Sequence, residues 1–275
     1  MNRTRYLAAA ALVAATLAAS PADSSGQSTW TLRETRAAVE LEVFRPDFSD
    51  DLDFAFASSA GFLSGRLPLG TGWAVSADLP FARAGWDGIT GSESSSLLGN
   101  PYLGVEWTAS AELTTELGMR IPVGELDDLD DLPAILVGTA GELGRMEAFV
   151  PQTLGVYATA DYRRPLNETF SLRLRGGPAF LGGDSGPDDL LVGYSGQLWY
   201  GKDRTRVGAG LAGRTNVTTD DEDVERALHQ FALAGDYRIG QVRPGLQLRV
   251  PLDESVRDAS TYTLGITLTW APTGR

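Results

Sequence analysis

Few side chains in this sequence could carry out catalysis. His229, in the stretch ALHQFALAGDYR, is the single histidine, and cysteine is absent. A Ser–His hydrolase or a His–Asp protease would have to use His229 as its base. The sequence contains no Gly-x-Ser-x-Gly, Walker or His-Glu-x-x-His motif, and one histidine without cysteine argues against a transition-metal site. We therefore predict a chain that is not an enzyme, with no catalytic residue, no metal site and no cofactor.

Carboxylates, in contrast, are abundant and concentrate in runs. The densest runs are ELDDLDD at 125–131 and DDEDVE at 220–225. Neither has the glycine and the ligand spacing of a calcium-binding loop. Two interpretations stay open: solvated acidic loops, or weak bridging by divalent cations to lipopolysaccharide or between loops. The net charge of −13 argues against a nucleic-acid partner.

The N-terminal residues have the pattern of an export signal. Two arginines precede an apolar stretch at 7–19, and Ser20-Pro21-Ala22 is a small-x-small cleavage site. The apolar stretch is too short to cross a bilayer as a helix, so we interpret 1–22 as a secretory signal peptide. The expected mature chain, 23–275, is one domain.

The elements that would position any site are β-strands. In TYTLGITLTW, near the C-terminus, every second residue is large and apolar, and only Thr and Gly lie between them. A period of two predicts a strand with two unlike faces. The same pattern, bounded by turn residues, predicts twelve strands, near 36–44, 55–68, 72–83, 101–107, 112–123, 152–162, 169–181, 190–200, 206–216, 227–238, 242–251 and 261–270.

The connections between these strands alternate in length. Tight links such as LGTG, TASA and IGQ follow the even-numbered strands, and longer polar links follow the odd-numbered ones. Short turns on one rim, long loops on the other and an even strand count are typical of a bacterial outer-membrane barrel. A β-sandwich has no reason to sort its loops in this way. We predict an all-β fold: a twelve-stranded antiparallel transmembrane β-barrel with periplasmic turns and extracellular loops.

Aromatic residues support this prediction independently. Trp and Tyr favour the membrane–water interface, so a ring of them is expected where the strands reach the short-turn rim. Six residues fit this position and share parity with the apolar residues of their strands: Trp73, Trp107, Tyr162, Tyr200, Tyr237 and Trp270. The apolar face of each strand is therefore predicted to meet outer-membrane lipid.

The opposite parity predicts the residues that face the lumen. An acidic wall is expected from strands one to five, with Glu40, Glu42, Asp78, Glu106, Glu112 and Glu116. A basic wall is expected from strands seven to eleven, with Arg173, Arg175, Arg206, Arg214, Arg238, Arg243 and Arg249. These charges either pair and plug the lumen, or leave water between two opposed walls that orient polar solutes.

The bore of such a barrel is narrow. With strands about 4.8 Å apart and tilted by about 40°, twelve strands place the backbone about 12 Å from the axis. Inward arginine side chains, which reach about 6 Å, then leave only a narrow bore. The segment DLPAILVGTAGELGRMEAFVP is too apolar for a free loop, although its glycines weaken any helix. We expect residues 132–149 to fold over or into the mouth, as a lid or a constriction.

One stretch resembles a known group of barrels. LLGNPYLGVEWTASAELTTELGMRIPVGE, at 97–125, is similar to the strand, hairpin and strand end of the phenol meta-pathway or "transporter" outer-membrane proteins. Gly99-Asn100 and Ile121-Pro122-Val123-Gly124 carry the match, with Val123 where that family often has Thr. The resemblance covers about a tenth of the chain. It implies a passive barrel that takes up small, often hydrophobic molecules, and it carries over no catalytic residue.

Three functions remain open at this point. A narrow passive channel for small molecules in the outer membrane is the first, and a sealed structural or interaction barrel with acidic loops is the second. The third is a lipid-active enzyme built on His229, whose parity places it on the lipid side near the outer rim. The outer-membrane phospholipase family also has twelve strands, but its His-x-Ser pair is absent, because Phe231 follows two residues after His229.

Overall fold

The structure, a computed structural model, describes residues 29–32, 37–48, 54–55, 57–88, 91–123, 131–183, 189–218 and 226–272. The expected signal peptide at 1–22 lies outside these residues, as do the acidic run at 220–225 and all but the last residue of the run at 125–131. No helix in the described part of the chain is long and apolar enough to cross a bilayer.

Thirteen strands of the described chain form one antiparallel sheet. They are β1 Ala38–Phe48, β2 Ser59–Gly70, β3 Trp73–Gly88, β4 Gly91–Leu98, β5 Tyr102–Thr108, β6 Leu113–Arg120, β7 Thr153–Pro165, β8 Phe170–Gly183, β9 Asp189–Lys202, β10 Thr205–Asn216, β11 Ala227–Tyr237, β12 Val242–Pro251 and β13 Ser260–Trp270. The helices are α1 Leu132–Gly141, a 3-10 helix at Leu143–Phe149, and α2 Glu254–Arg257.

The sheet closes on itself. Each strand pairs with the next along the chain, except that β4 and β5 both pair with β3, and β1 pairs with both β2 and β13, so that the last strand lies beside the first. Closure pairs the backbone groups that an edge strand would leave open. The predicted fold, a twelve-stranded antiparallel barrel, is confirmed.

The thirteenth strand arises because one barrel position holds two strands in succession. β5 pairs with the first half of β3, at 73–78, and β4 pairs with the second half, at 81–88. Residues 91–98 fall in the connection between the predicted strands at 72–83 and 101–107. Their serine-rich sequence has no apolar alternation, so periodicity cannot detect a strand whose backbone hydrogen bonds to β3 hold it in the sheet.

The faces of the strands are inverted relative to a soluble protein. In β13, the side chains of Leu264, Ile266 and Trp270 are 46%, 63% and 46% exposed, whereas Thr263 and Thr267 are each only 5% exposed. The same inversion recurs around the barrel, where most of the exposed large apolar residues lie on strands. Apolar residues outside and polar residues inside are the arrangement that a lipid environment stabilises.

Two residues predicted to line the lumen lie elsewhere. Glu112 is in the turn before β6, where its carbonyl accepts a hydrogen bond from the Arg163 backbone N–H at 2.7 Å. Arg238 follows the end of β11, and its Nε donates to the Gly240 carbonyl at 3.3 Å. Both strands are shorter at this rim than predicted, because bonds within the turns begin there: the Glu112 N–H donates to the Ser110 hydroxyl, and the Ile239 N–H donates to the Val242 carbonyl.

Candidate functional site

The lumen contains a segment of the chain itself. We call residues 131–150, which connect β6 to β7, the lumenal segment. Pro133 lies in the first turn of α1, where its missing N–H costs nothing. Seven of the ten residues of α1 are buried, and burial on all sides stabilises a helix that is apolar all round. The segment lies inside the barrel, so of the two expected placements, over the mouth or into it, the structure shows the second.

Aromatic contacts hold the lumenal segment toward the long-loop rim. The ring of Phe149 packs edge-on against Phe62 at a centroid distance of 5.4 Å, and Phe62 packs against Phe44 at 6.3 Å. Ala134 and Val137 of α1 belong to the same fully buried cluster. This half of the lumen is therefore apolar and closely packed.

A charged network holds the middle of the segment. Arg145 donates to Glu42 of β1 at 2.5 Å and to Glu142 at 3.0 Å, and it lies 3.7 Å from Asp78 of β3. Its guanidinium also stacks 3.6 Å from the ring centroid of Phe62. Arg145 and Glu42 are each at most 1% exposed. A buried charge of this kind is stable only with partners of opposite sign.

The network continues into the barrel wall on both sides. Arg249 of β12 pairs with Glu142 at 2.7 Å, and Arg120 of β6 pairs with Asp78 through two hydrogen bonds of 2.9 and 3.0 Å. Glu147 lies 3.7 Å from Arg120 and 3.8 Å from Arg214. The connected groups are four carboxylates (Glu42, Asp78, Glu142, Glu147) and four guanidinium groups (Arg120, Arg145, Arg214, Arg249), so the network is neutral.

The pKa values of the two segment carboxylates shift in opposite directions. Burial alone would raise the pKa of Glu142, but Arg249 and Arg145 together lower it below its ordinary value. For Glu147 burial prevails and raises the pKa, since its arginine partners are farther away. Glu142 is therefore the carboxylate whose charge the network favours most clearly.

Asn100 fastens the end of the lumenal segment to the wall. Its side-chain amide donates to the carbonyl groups of Val150 at 2.7 Å and Glu147 at 3.1 Å, and its backbone N–H donates to Ala148 at 2.6 Å. Its Oδ1 accepts from the Val123 backbone N–H at 3.3 Å. A Cβ on Gly99 would lie 2.2 Å from the Ala148 carbonyl oxygen, so only glycine fits.

These contacts explain a sequence pattern. Gly99-Asn100 and Ile121-Pro122-Val123 were the residues of a hairpin-like motif, and in the structure the Ile121 N–H also donates to the Pro101 carbonyl at 3.0 Å. Both halves of the motif therefore meet at one place, where they hold the lumenal segment. Gly99 and Asn100, which hold the segment, lie in the short connection between β4 and β5.

A second piece of chain occupies the short-turn half of the lumen. The carbonyls of Thr29 and Thr31 accept hydrogen bonds from Arg173 Nη1 at 2.8 and 3.1 Å, and Thr29 also accepts from Gln197 Nε2 at 2.6 Å. Trp30 is 1% exposed and packs against Trp199. Sequence reasoning missed this segment, residues 29–32, because it precedes every periodic element.

The predicted opposition of an acidic and a basic wall is replaced by local pairs. Arg173 binds Asp161 on the neighbouring β7 through Nε and Nη2, at 3.1 and 2.7 Å. Asp236 on β11 binds Arg206 at 2.9 Å and Arg243 at 2.6 Å. Carboxylates lie on the basic side because a buried guanidinium requires a nearby partner.

The acidic side of the barrel likewise carries arginines. Arg66 of β2 binds Glu106 at 2.7 Å. Glu116 accepts hydrogen bonds from Ser76 at 2.6 Å and Tyr102 at 3.0 Å, and lies 3.9 Å from Arg175 of β8, two strands along the wall. Glu40 accepts from Thr269 at 2.8 Å. The inward parity of Asp161, Asp236, Arg66 and Arg120 was a signal that could have identified them from sequence.

The six predicted interface aromatics lie on the outer surface near the short-turn rim. Trp73 and Trp107 are each 48% exposed and stack at 6.3 Å, and Tyr200 packs 5.4 Å from Phe170, which the prediction omitted. Tyr237 and Trp270 are each 46% exposed, and Tyr162 is partly buried beside Leu113. The ring is on the face that the parity argument assigned to it.

His229 lies on the outer surface within a chain of hydrogen bonds. Its Nε2 is 2.7 Å from the Tyr194 hydroxyl and its Nδ1 is 3.1 Å from Asp253 Oδ1, while its backbone N–H donates to Asp253 Oδ2. Gly213 pairs with both Tyr194 and His229, and a Cβ there would lie 2.8 Å from each ring. A Tyr–His–Asp chain can relay a proton, and only folding brings its members together.

Comparison with known proteins places the fold. No protein-family model and no characterised protein matches the chain in sequence. Many solved structures match it in shape, and three of them serve as examples. The translocator domain of the autotransporter NalP from Neisseria meningitidis has a TM-score of 0.56 and 10% identity, over 87% of this chain and 90% of that one. LpxR from Salmonella typhimurium has a TM-score of 0.51 and 12% identity, over 86% and 100%. The KdgM porin has a TM-score of 0.51 and 10% identity, over 86% and 99%.

These likenesses show a fold shared with bacterial outer-membrane barrels. They also correct one prediction. The expectation that the chain is not an enzyme is wrong as an argument from motifs, because LpxR, an outer-membrane enzyme, is built on the same fold. The chain thus has the architecture of an outer-membrane β-barrel, a fold that serves porins and enzymes alike.

Proposed function

We propose that this protein is a passive transporter for small molecules in the bacterial outer membrane, and that the lumenal segment closes it. The observation that carries the proposal is the insertion of α1 into the lumen. An α-helix with its side chains is about 10 Å wide. A wall that encloses such a helix would, with the helix displaced, leave a bore wide enough for a small solute.

The lumenal segment is held by side-chain contacts and not by strand pairing, and this supports its role as a gate. The segment forms no strand in the sheet, and its polar contacts to the wall include the ion pairs of Arg145, Glu142 and Glu147, the hydrogen bonds of Asn100, and the Thr263 hydroxyl that donates to the Ala140 carbonyl. Charged groups on both the segment and the wall can be rehydrated when they separate. Displacement therefore costs less than breaking backbone pairs between strands, since the barrel itself stays intact.

The resemblance to phenol meta-pathway barrels enters this proposal as well. Its motif residues, Gly99-Asn100 and Ile121-Pro122-Val123, are those that hold the segment in place. The apolar cluster around Phe62 and Phe149, toward the long-loop rim, suits an entering solute that is hydrophobic. We propose a small, partly hydrophobic solute on these two grounds.

Planar-bilayer recording tests the proposal. Because Trp30 fills part of the short-turn half of the lumen, the test is made in a Trp30→Gly background. Deleting residues 132–149 there should raise single-channel conductance several-fold over Trp30→Gly alone, because the bore then also lacks its helix. Arg66→Met is the matched control, since Arg66 pairs with Glu106 of β5, so that both partners of this ion pair lie in the wall. Heat-modifiable migration on a gel verifies folding of each variant. A deletion variant that folds and conducts no more than Trp30→Gly alone would refute the proposal.

A sealed barrel is the second candidate, and the neutral charge network favours it. In that case the lumen stays closed, and the protein acts through its acidic loops, with lipopolysaccharide and divalent cations as proposed partners. The wild type then shows no conductance step at any voltage and no solute flux into liposomes. Calcium-dependent retention of lipopolysaccharide by the refolded protein would support this function.

A further inference from the structure

The short-turn half of the lumen is built as a binding site. Arg173 and Gln197 direct N–H groups at the carbonyl oxygens of residues 29–31, and the indole of Trp30 is buried beside them. Residues 29–32 precede β1 in the chain and pair with no strand that the structure describes. The wall instead supplies directed donors next to an aromatic recess, which is the composition of a site for a small ligand.

The donors are fixed in orientation by the wall. The Trp199 Nε1–H can only donate, and it donates to Gln197 Oε1 at 2.9 Å. This bond turns the Gln197 amide so that its Nε2 points to the occupant, where it meets the Thr29 carbonyl at 2.6 Å. The site therefore offers an N–H donor at that position whether or not the peptide is present.

Arg173 is committed in the same way. Its Nε and Nη2 donate to Asp161, so only Nη1 is directed to the occupant. An arginine binds a carboxylate best through two parallel N–H groups, and here that edge is taken by Asp161. A single Nη1 beside Gln197 Nε2 matches a neutral carbonyl oxygen instead.

The recess for the ring is formed by small residues. Trp30 belongs to one buried cluster with Trp199 and with Ala212, Ala232 and Ala234 of β10 and β11. Trp199 lies flat on the wall because Gly208 has no Cβ, which would otherwise be 2.5 Å from the Trp199 ring. Three alanines and one glycine on neighbouring strands leave the space that an indole fills.

We propose that Arg173, Gln197 and Trp199 form a lumenal binding site for an aromatic molecule that carries a neutral carbonyl group, and that Trp30 with its flanking carbonyls occupies this site in place of the solute. The inference deepens the proposed transport function by naming a solute class. Binding itself does not require transport, so the two proposals can fail separately.

Calorimetry on the refolded protein in detergent micelles tests the site. The probe is N-acetyl-L-tryptophan amide, whose acetyl carbonyl corresponds to the Thr29 carbonyl. The variant Trp30→Gly, with its own indole removed, should bind one probe per barrel at least tenfold more tightly than the wild type. N-acetyl-L-tryptophan, which replaces the terminal amide with a carboxylate, should bind more weakly, because Asp161 already occupies the bidentate edge of Arg173.

Second variants separate the site from general effects. Adding Gln197→Met to Trp30→Gly should lower the affinity for the probe about tenfold, because one hydrogen bond to its carbonyl is lost. Adding Tyr194→Phe, on the outer surface, should change nothing. If Trp30→Gly does not refold, Trp30→Phe retains a smaller ring, and the probe should still bind it more tightly than the wild type. A folded Trp30 variant that binds no better than the wild type, or a preference for the carboxylate probe, overturns the inference.

Discussion

Replacing Arg145 by methionine should open the barrel. The guanidinium is 1% exposed, and three carboxylates lie within 3.7 Å of it. In the variant Asp78 is still paired with Arg120, and Glu142 is still paired with Arg249. Glu42 is the carboxylate that loses its arginine partner. Removing one partner of a buried pair costs about 3–5 kcal/mol. That cost acts on the inserted state alone, because Glu42 is rehydrated when the segment leaves.

The expected change in gating follows from this cost. At about 1.4 kcal/mol per tenfold, the ratio of inserted to displaced segment should fall roughly a hundredfold to several thousandfold. Single-channel recording in planar bilayers measures this ratio as the fraction of time in the conducting state. Arg66→Met, which removes an arginine from a pair within the wall, should leave that fraction unchanged.

A double variant sharpens the test. Glu42→Gln removes the charge that Arg145→Met leaves unpaired, so Arg145→Met with Glu42→Gln should be closed for more of the time than Arg145→Met alone. Replacing both members of a buried pair is far less costly than replacing one. Equal opening in Arg145→Met and Arg66→Met, or no recovery in the double variant, would refute the gating argument.

Three further predictions follow from the same contacts. Asn100→Leu removes two hydrogen bonds to the lumenal segment and should weaken its docking by about 2 kcal/mol, seen as longer open times in bilayer recordings. Since the pKa of Glu142 is lowered in the folded state, its stabilisation of the closed state is present above the unfolded pKa of about 4.3 and is lost as the pH falls through the folded pKa. Acidification should therefore raise the open fraction, and less so in Glu142→Gln; an equal pH response in both would contradict the assignment. Trp73→Ala removes the stack with Trp107 and should lower the unfolding free energy in lipid vesicles by about 1 kcal/mol, measured by urea titration; an unchanged midpoint would count against the interface ring.

The sequence predicted those features that depend on neighbouring residues along the chain, and it missed those that depend on contacts between distant residues. The alternation in β13 identified the strand and its two faces, because side chains on a strand point alternately to opposite sides whatever the strand pairs with. The alternating loop lengths gave the order of pairing. The strand β4 was missed, since its serine-rich stretch is held by hydrogen bonds to β3 and not by a pattern of its own.

The candidate site shows the same division. Parity placed Glu42, Asp78 and Arg249 toward the interior, but it could not name their partners. Those partners include Arg145 and Glu142, on a connection without period-two alternation. An apolar helix with no polar face gives no direction in which it must pack, so sequence could say that residues 132–149 avoid water but not where they lie.

The sequence by itself determined that this chain is a β-barrel with an apolar outside, a charged inside and two unlike rims, because each of these follows from the neighbours of a residue along the chain. The tertiary structure alone decided that the lumen is filled by residues 131–150 and 29–32, and that its charges pair locally. The physical reason is that contacts across a barrel depend on the register added up over all the strands between two residues. The local sequence of one strand does not determine this accumulated register.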